Sequence, residues 1–497
     1  MINWFKWLVL SVLALLFLTV LGLYISLRMS LPALDGNSAT YHVNAPTELS
    51  RDELGQAVIK ANDIFDAAYA LGFAHAQDRF FQMDLQRRAA SGSLSQWVGD
   101  IALDIDKKAR FHQFEKRAKA VFDNLPSKQQ ELLVRYAHGV NDALSEYTLP
   151  PFEYLAAGVD IKQWRPTDSI LVIYSMYLDL QGSQVELDLA REALLSTFGD
   201  DLYSFITQPS NYQAALDASE IPLLESPIPE YPASLRPITH SPEDSNDESL
   251  EQEPEDATTQ YSNDSDNTAI ARAQYNGTEL PDIGSDNWAV TGSHTTSGAG
   301  LLANDMHLGL RVPIIWYRAQ LNYQESGSDV QVTGVSLPGI PGIVVGTNGH
   351  IAWGFTNGYL DTADWIALDG RDKTWQIDEA ILLNDGSSEN YTLTMSEYGP
   401  VKNINGKPYA LSWVAHHDYA VNMDLIKLEQ ANNVDDALAL AADVGIPVQN
   451  LMVVDDSGSA AWKNMGAIPA RKVPNELAVS EQNYPVGWHE NETERPY

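Results

Sequence analysis

The dipeptide Gly284-Ser285 lies within LPDIGSDNWAVTGSHTTSGAGLLANDMHLGL, Leu280 to Leu310, and the serine stands where a strand-patterned segment begins. A serine hydroxyl is a weak nucleophile until a base takes its proton. The usual arrangements for that are missing: there is no G-x-S-x-G elbow, no H-E-x-x-H pair and no Walker loop. With 0 cysteines, thiolate catalysis, Cys-ligated metals and disulfides are excluded together. One base remains if the backbone is cut before Ser285, because a freed α-amine titrates at about 7.7–8.0 and can accept a proton near neutral pH. Such a cut makes Ser285 nucleophile and base at once. Gly284 suits self-cleavage, since the hydroxyl must approach the preceding carbonyl and glycine puts no side chain in its path. Without the cut, Gly-Ser is the ordinary end of a linker.

The elements around this dipeptide change character along the chain. Asp66 to Arg88, DAAYALGFAHAQDRFFQMDLQRR, carries Ala67, Leu71, Ala74, Phe81 and Leu85 at helical spacing, with Gly92 as its stop. Gln129–Tyr147 and Ser169–Thr197 read as further helix, so residues 31–230 are expected to be mainly helical. From Ser241 to Asn267 there is no Lys or Arg and hardly an apolar residue, so residues 231–284 are expected to be a disordered acidic spacer. The NDSDN within it lacks the glycine and closing glutamate of a calcium loop. Beyond Ser285 the pattern is strands. Trp288 and Val290 alternate with Ala289 and Thr291, TTSGAG is turn chemistry, Asn348-Gly349 marks a hairpin, and another turn is expected at Asp456 to Gly458.

Composition narrows the function classes. The chain has 497 residues, 44% of them apolar, and 12 tryptophans, enough for more than one core. A formal net charge of −36 opposes any phosphate-binding face, so a nucleic-acid partner is excluded. Trp7 to Leu27 carries no charge and is flanked by Lys6 and Arg28, long enough to cross the roughly 30 Å hydrocarbon layer as a helix. No A-x-A cleavage site follows it, so residues 1–30 are expected to form an uncleaved signal anchor in the inner membrane, with a periplasmic body behind it.

Four separated motifs, GSDNWAV, LLANDMHLGL, GVSLPGIPGIVVGTNGHIAWGFTN and ALGFAHAQDRFFQMDLQRRAASGSLSQWVG, resemble the penicillin acylase (penicillin amidase) family of N-terminal-nucleophile hydrolases. The resemblance runs from about Leu31 to the end, apart from the spacer. It implies an α+β fold, an αββα sandwich with a mainly helical α-chain part, in a precursor that cuts itself into an αβ heterodimer whose β chain begins at Ser285. It implies a small-molecule N-acyl substrate, such as a β-lactam or an N-acyl-homoserine lactone, and no organic cofactor. It implies that His307, in NDMHLGL, contacts the nucleophile's amine, and that the backbone N–H of Asn357, in WGFTN, faces the developing oxyanion. It also implies a structural calcium ion held by Glu186, Asp361, Ala363, Asp364 and Pro469.

Two positions depart from the family, Asp286 and Met306, where asparagine and proline are common. Ser285–Tyr497 is shorter than a family β chain, and the family's second oxyanion donor belongs beyond GWHENETERPY, so the chain is expected to be the front portion of a longer acylase. The alternative class is a truncated, non-catalytic, membrane-anchored binding protein of the same fold.

Overall fold

The computed structural model describes residues 2–207, 229, 285–306, 308, 309, 311–471, 477–480 and 488–493. Gly284, His307 and the acidic spacer lie outside the described residues. The chain divides into one unit of Met1–Leu189 with Ser285–Tyr497 and another of Ala190–Gly284; the core and the candidate site belong to the first.

The first unit begins with helix α1 (Ile2–Met29), whose Trp4–Met29 portion has mean hydropathy 2.7 and is long and apolar enough to cross a membrane. Strands β1 (Glu48–Arg51) and β2 (Ala57–Asp63) follow, then the central helix α2 (Ile64–Ser91). Asp63 starts α2 by accepting from the N–H groups of Phe65 and Asp66, and Gly92 ends it in the left-handed region at φ 63°. Next come α3 (Ser95–Val98), α4 (Leu103–Phe111), α5 (Phe114–Asn124), α6 (Ser127–Ser145), α7 (Phe152–Ala157) and α8 (Pro166–Val185). The helical stretch α9 (Leu187–Thr207), most of which belongs to the second unit, is broken at Gly199. The long helical run expected from Ser169 to Thr197 is therefore interrupted, with a boundary at Glu186.

Helices α2 and α6 meet backbone to backbone. A Cβ on Gly72 would lie 2.3 Å from the Tyr136 carbonyl oxygen, and one on Gly139 would lie 1.9 Å from that of Tyr69. Only glycine permits that approach. Further along α2, Asp84 is fully buried and holds two guanidinium groups, Arg87 at 2.6 Å and Arg88 at 3.1 Å, while the Tyr154 hydroxyl donates to it at 2.7 Å. Buried charge of this kind is tolerated because every partner is present.

After Ser285 the chain is mostly β: β3 (Asp286–Val290), β4 (Leu301–Asp305), β5 (Tyr317–Glu325), β6 (Ser328–Ser336), β7 (Val345–Thr347), β8 (Ile351–Asn357), β9 (Ala363–Ala367), β10 (Thr374–Leu382), β11 (Ser388–Ser396), β12 (Pro400–Ile404), β13 (Lys407–Trp413), β14 (Gln449–Asp455), β15 (Ala460–Met465) and β16 (Val479–Ser480). Eight strands form one sheet in the order β1-β2-β5-β6-β7-β8-β14-β15, and six form another in the order β10-β11-β12-β13-β9-β16. The β3–β4 hairpin is a separate ribbon. The Asn348-Gly349 turn joins β7 to β8 with Gly349 at φ 87°, and Gly458 at φ 92° lies between β14 and β15.

The core contains one acid that its surroundings hold protonated near neutrality. Glu429, 2% exposed, accepts from the Tyr323 hydroxyl at 2.7 Å and the Ile343 N–H at 2.9 Å. Burial nevertheless pushes its carboxyl up to about 7. Between the unfolded value of about 4.3 and that folded value, the unfolded chain is ionised while the fold holds the proton, so stability falls as pH rises through this window. Imidazoles act the other way: desolvation, complete at His75 and partial at His112 and His417, pushes each down to about 3, and their contribution is lost as pH falls below about 6.5. Glu429→Gln preserves an acceptor for Ile343 and is expected to raise stability at pH 8 by on the order of 2 kcal/mol, with the gap closing near pH 5. Denaturant melts at the two pH values measure it.

Candidate active site

Ser285 heads β3, and its strand is held from two sides. In the β3–β4 ribbon Asp286 pairs with Asp305 and Asn287 with Asn304. The Asn287 side chain then donates to the Asn450 carbonyl on β14 at 3.1 Å. At the far end of the ribbon the Gly292 N–H donates to the Gly458 carbonyl at 2.9 Å. Ser285 therefore sits at the fixed end of an anchored strand.

Asn304 links that strand to β8. Its amide nitrogen donates to the carbonyls of Asp286 at 3.1 Å and Phe355 at 2.9 Å, and its amide oxygen accepts from the Phe355 N–H at 2.8 Å. One side chain thus pairs with Phe355 as a neighbouring strand would. Gly354 makes room for it, since a Cβ there would meet the Asn304 Oδ1 at 2.7 Å. The sequence reading missed Asn304, whose only signal was its position in LLAND, opposite Asn287.

Asn357 closes β8 on the same edge. It pairs with Gln449 of β14, and the Gly358 N–H donates to the Val448 carbonyl at 3.1 Å, which marks Asn357 and Gln449 as a non-hydrogen-bonded pair. Alternation then turns the Asn357 N–H away from β14, to the edge where Asn304 joins Phe355 to Asp286. The Asn357 side chain donates to the Leu180 carbonyl at 2.8 Å, while its Oδ1 is buried with no hydrogen-bond partner among the described residues. Its carbonyl accepts from the Asn450 side chain at 3.0 Å. The two expected residues within view, Ser285 and Asn357, lie at the ends of strands joined by Asn304. His307 cannot be placed, because it falls outside the described residues; its neighbour Met306 accepts from the Trp316 indole at 3.3 Å.

The expected calcium ligands are arranged otherwise. Asp364 is not on a loop: it lies in β9, 1% exposed, with Oδ1 at 2.7 Å from Arg471 and Oδ2 accepting from the Trp488 indole at 2.8 Å. Arg471 also reaches the Asp361 carboxylate at 3.0 Å. Glu186 is paired with Lys402 at 3.0 Å, Ala363 pairs with Trp413 across β9 and β13, and Pro469 bridges to Asn491. Calcium needs about six to eight oxygen ligands with free carboxylates among them. Here Arg471 takes the carboxylates of Asp361 and Asp364 and the half-exposed Lys402 takes that of Glu186, and among the described residues no group of three or more His, Cys, Asp or Glu is placed to hold a metal. These residues do not fit a calcium ion.

Comparison with known proteins gives the lineage of this arrangement. The model of the penicillin amidase family matches residues 46–495. The chain is similar to penicillin acylase 2 proenzyme of Pseudomonas sp. (strain SE83), 28% identical over 480 residues that cover 90% of this chain and 56% of that protein. It is 29% identical to acyl-homoserine lactone acylase QuiP of Pseudomonas aeruginosa over 340 residues, 67% of this chain and 36% of that protein. Penicillin G acylase of Escherichia coli is 25% identical over 414 residues, 75% and 47% of the two chains. The chain thus spans about half the length of the curated relatives it matches. With a family match over most of its length, and with helices and sheets combined in an α+β fold, the chain belongs to the penicillin amidase family.

Proposed function

We propose that the protein is a self-processing amide hydrolase that removes the acyl group from an N-acyl substrate. The observation that carries this reading is the Asn304 link, which joins the strand headed by Ser285 to the strand edge faced by the Asn357 N–H. The relatives' names, penicillin acylases and acyl-homoserine lactone acylases, point to β-lactams and N-acyl-homoserine lactones as the substrates to try first.

In the first step the Ser285 hydroxyl attacks the Gly284 carbonyl carbon, the peptide bond to the Ser285 nitrogen breaks, and an ester forms on Oγ. Water hydrolyses that ester, leaving a carboxylate on Gly284 and a free amine on Ser285. In turnover the amine takes the proton from Oγ as Oγ attacks the substrate carbonyl, and the Asn357 N–H donates to the oxyanion. The same proton passes to the leaving nitrogen, and a second water releases the acyl group as a carboxylic acid. His307 is proposed to hold the amine in orientation. The two chains of the product stay together as an αβ heterodimer, and α1 anchors the protein in the inner membrane with the site on the periplasmic side.

Hydrolysis of a chromogenic N-acyl anilide and of N-acyl-homoserine lactones by the purified, cleaved protein tests this. Turnover is expected to rise with pH through a single group at about 7.7–8.0, the α-amine of Ser285. Cleaved protein that binds but never hydrolyses N-acyl compounds of any chain length would contradict it.

A further inference from the structure

We propose that Arg471 takes over, within this chain, the joining role of a divalent cation: its guanidinium cross-links the segment following Asn357 to the neighbourhood of Trp488, so that this joint is independent of calcium. The inference concerns how the segment is held and stands apart from the acylase reading.

Arg471 is 5% exposed at its side chain and Asp364 1%. A guanidinium and a carboxylate this deep are tolerated only when they meet each other and have their remaining hydrogen-bonding positions filled. Here the two meet, and each has further partners. Nη1 lies 2.7 Å from Asp364 Oδ1, and Nη2 lies 3.0 Å from Asp361 Oδ2 and also donates to the Asp361 carbonyl. The planar guanidinium stacks 5.1 Å from the Trp488 ring centre, and the same indole donates to the other Asp364 oxygen at 2.8 Å. A flat fork with five donors suits this use in a way a point charge does not.

Charge argues the same way. One guanidinium between two carboxylates leaves a small negative excess, and a divalent ion entering beside it would meet a fixed positive charge in a poorly solvated site. The more distant acid that would complete an oxygen shell, Glu186, is held by Lys402 at 3.0 Å.

The segment so held is the continuation of β8. The Thr362 carbonyl accepts from the Val414 N–H at 3.0 Å, its hydroxyl donates to Gln181 at 3.2 Å, and the Trp365 indole donates to the Val185 carbonyl at 2.6 Å. Arg471 closes this frame on the remaining side.

The test is the melting of the full chain and of two variants, each in chelator, in millimolar calcium chloride, and in sodium chloride of matched ionic strength. Wild-type melting is expected to be the same in all three. Arg471→Ala is expected to melt at least about 5 °C lower and to regain part of that loss in calcium alone, because two unpaired carboxylates then become available. Arg471→Lys keeps one charge but loses the fork, and is expected to melt between the two with no response to calcium. A wild-type melting point that falls in chelator and returns with calcium would overturn the proposal even if Arg471→Ala failed to fold. So would an Arg471→Ala protein that melts like wild type, or one whose loss calcium leaves untouched.

Discussion

Ser285→Ala is expected to give one uncut polypeptide and to lower N-acyl hydrolysis by at least about 10⁴-fold, the scale on which a catalytic nucleophile is missed. Both losses follow from one missing oxygen. The hydroxyl attacks the Gly284 carbonyl in processing and the substrate carbonyl in turnover, and without processing there is no α-amine to serve as base. The loss is therefore not divisible: a variant that is still cut but cannot turn over, or remains whole and still hydrolyses substrate, would separate two steps that the proposed mechanism assigns to one atom. Gel mobility and a chromogenic assay on the same preparation measure both. Because β3 is anchored through Asn287, Asn304 and Gly292, the uncut variant is expected to remain folded, with a cooperative melt.

Asn304→Ala carries the second large effect. It leaves Ser285 and Asn357 unchanged and removes three hydrogen bonds at once, to Asp286 and to both backbone groups of Phe355. At about 1 kcal/mol each, the expected loss of stability is about 2–3 kcal/mol. The catalytic cost is expected to be larger in proportion, roughly 10²-fold in kcat, because a displacement of about 1 Å between nucleophile and oxyanion donor is enough for that. Asn304→Asp is expected to do worse than alanine, since it turns a carboxylate toward two carbonyl oxygens that now receive an N–H. A kcat that stays within about twofold of wild type in Asn304→Ala would show that the link does not set the geometry.

Local pattern explains what could be read from the amino acids alone. The α2 helix announces itself by its apolar stripe and its Gly92 stop, and the β7–β8 turn by Asn348-Gly349, because each is fixed by residues a few positions apart. Ser285 stood out for the same reason, as a glycine-preceded serine at the start of strand patterning. The side-chain links could not be seen this way. Asn304 meets Phe355 51 positions away and Arg471 meets Asp364 107 positions away, and no periodicity encodes either meeting. The calcium expectation came from resemblance over the acidic residues themselves, and the cations that occupy them, Arg471 and Lys402, lie far along the chain from Glu186 and Asp361. Glu429 shows the same limit: the fold buries its acid against Tyr323 and Ile343, 106 and 86 positions away.

The central claim is that the backbone opens before Ser285, and it is tested most directly by the intact mass, under denaturing conditions, of the protein produced from its own reading frame. The account predicts two or more fragments, one of which has Ser285 as its first residue and a free α-amine. A single mass corresponding to the uncut chain, after incubation at neutral pH, would contradict it, as would a fragment beginning at any other residue.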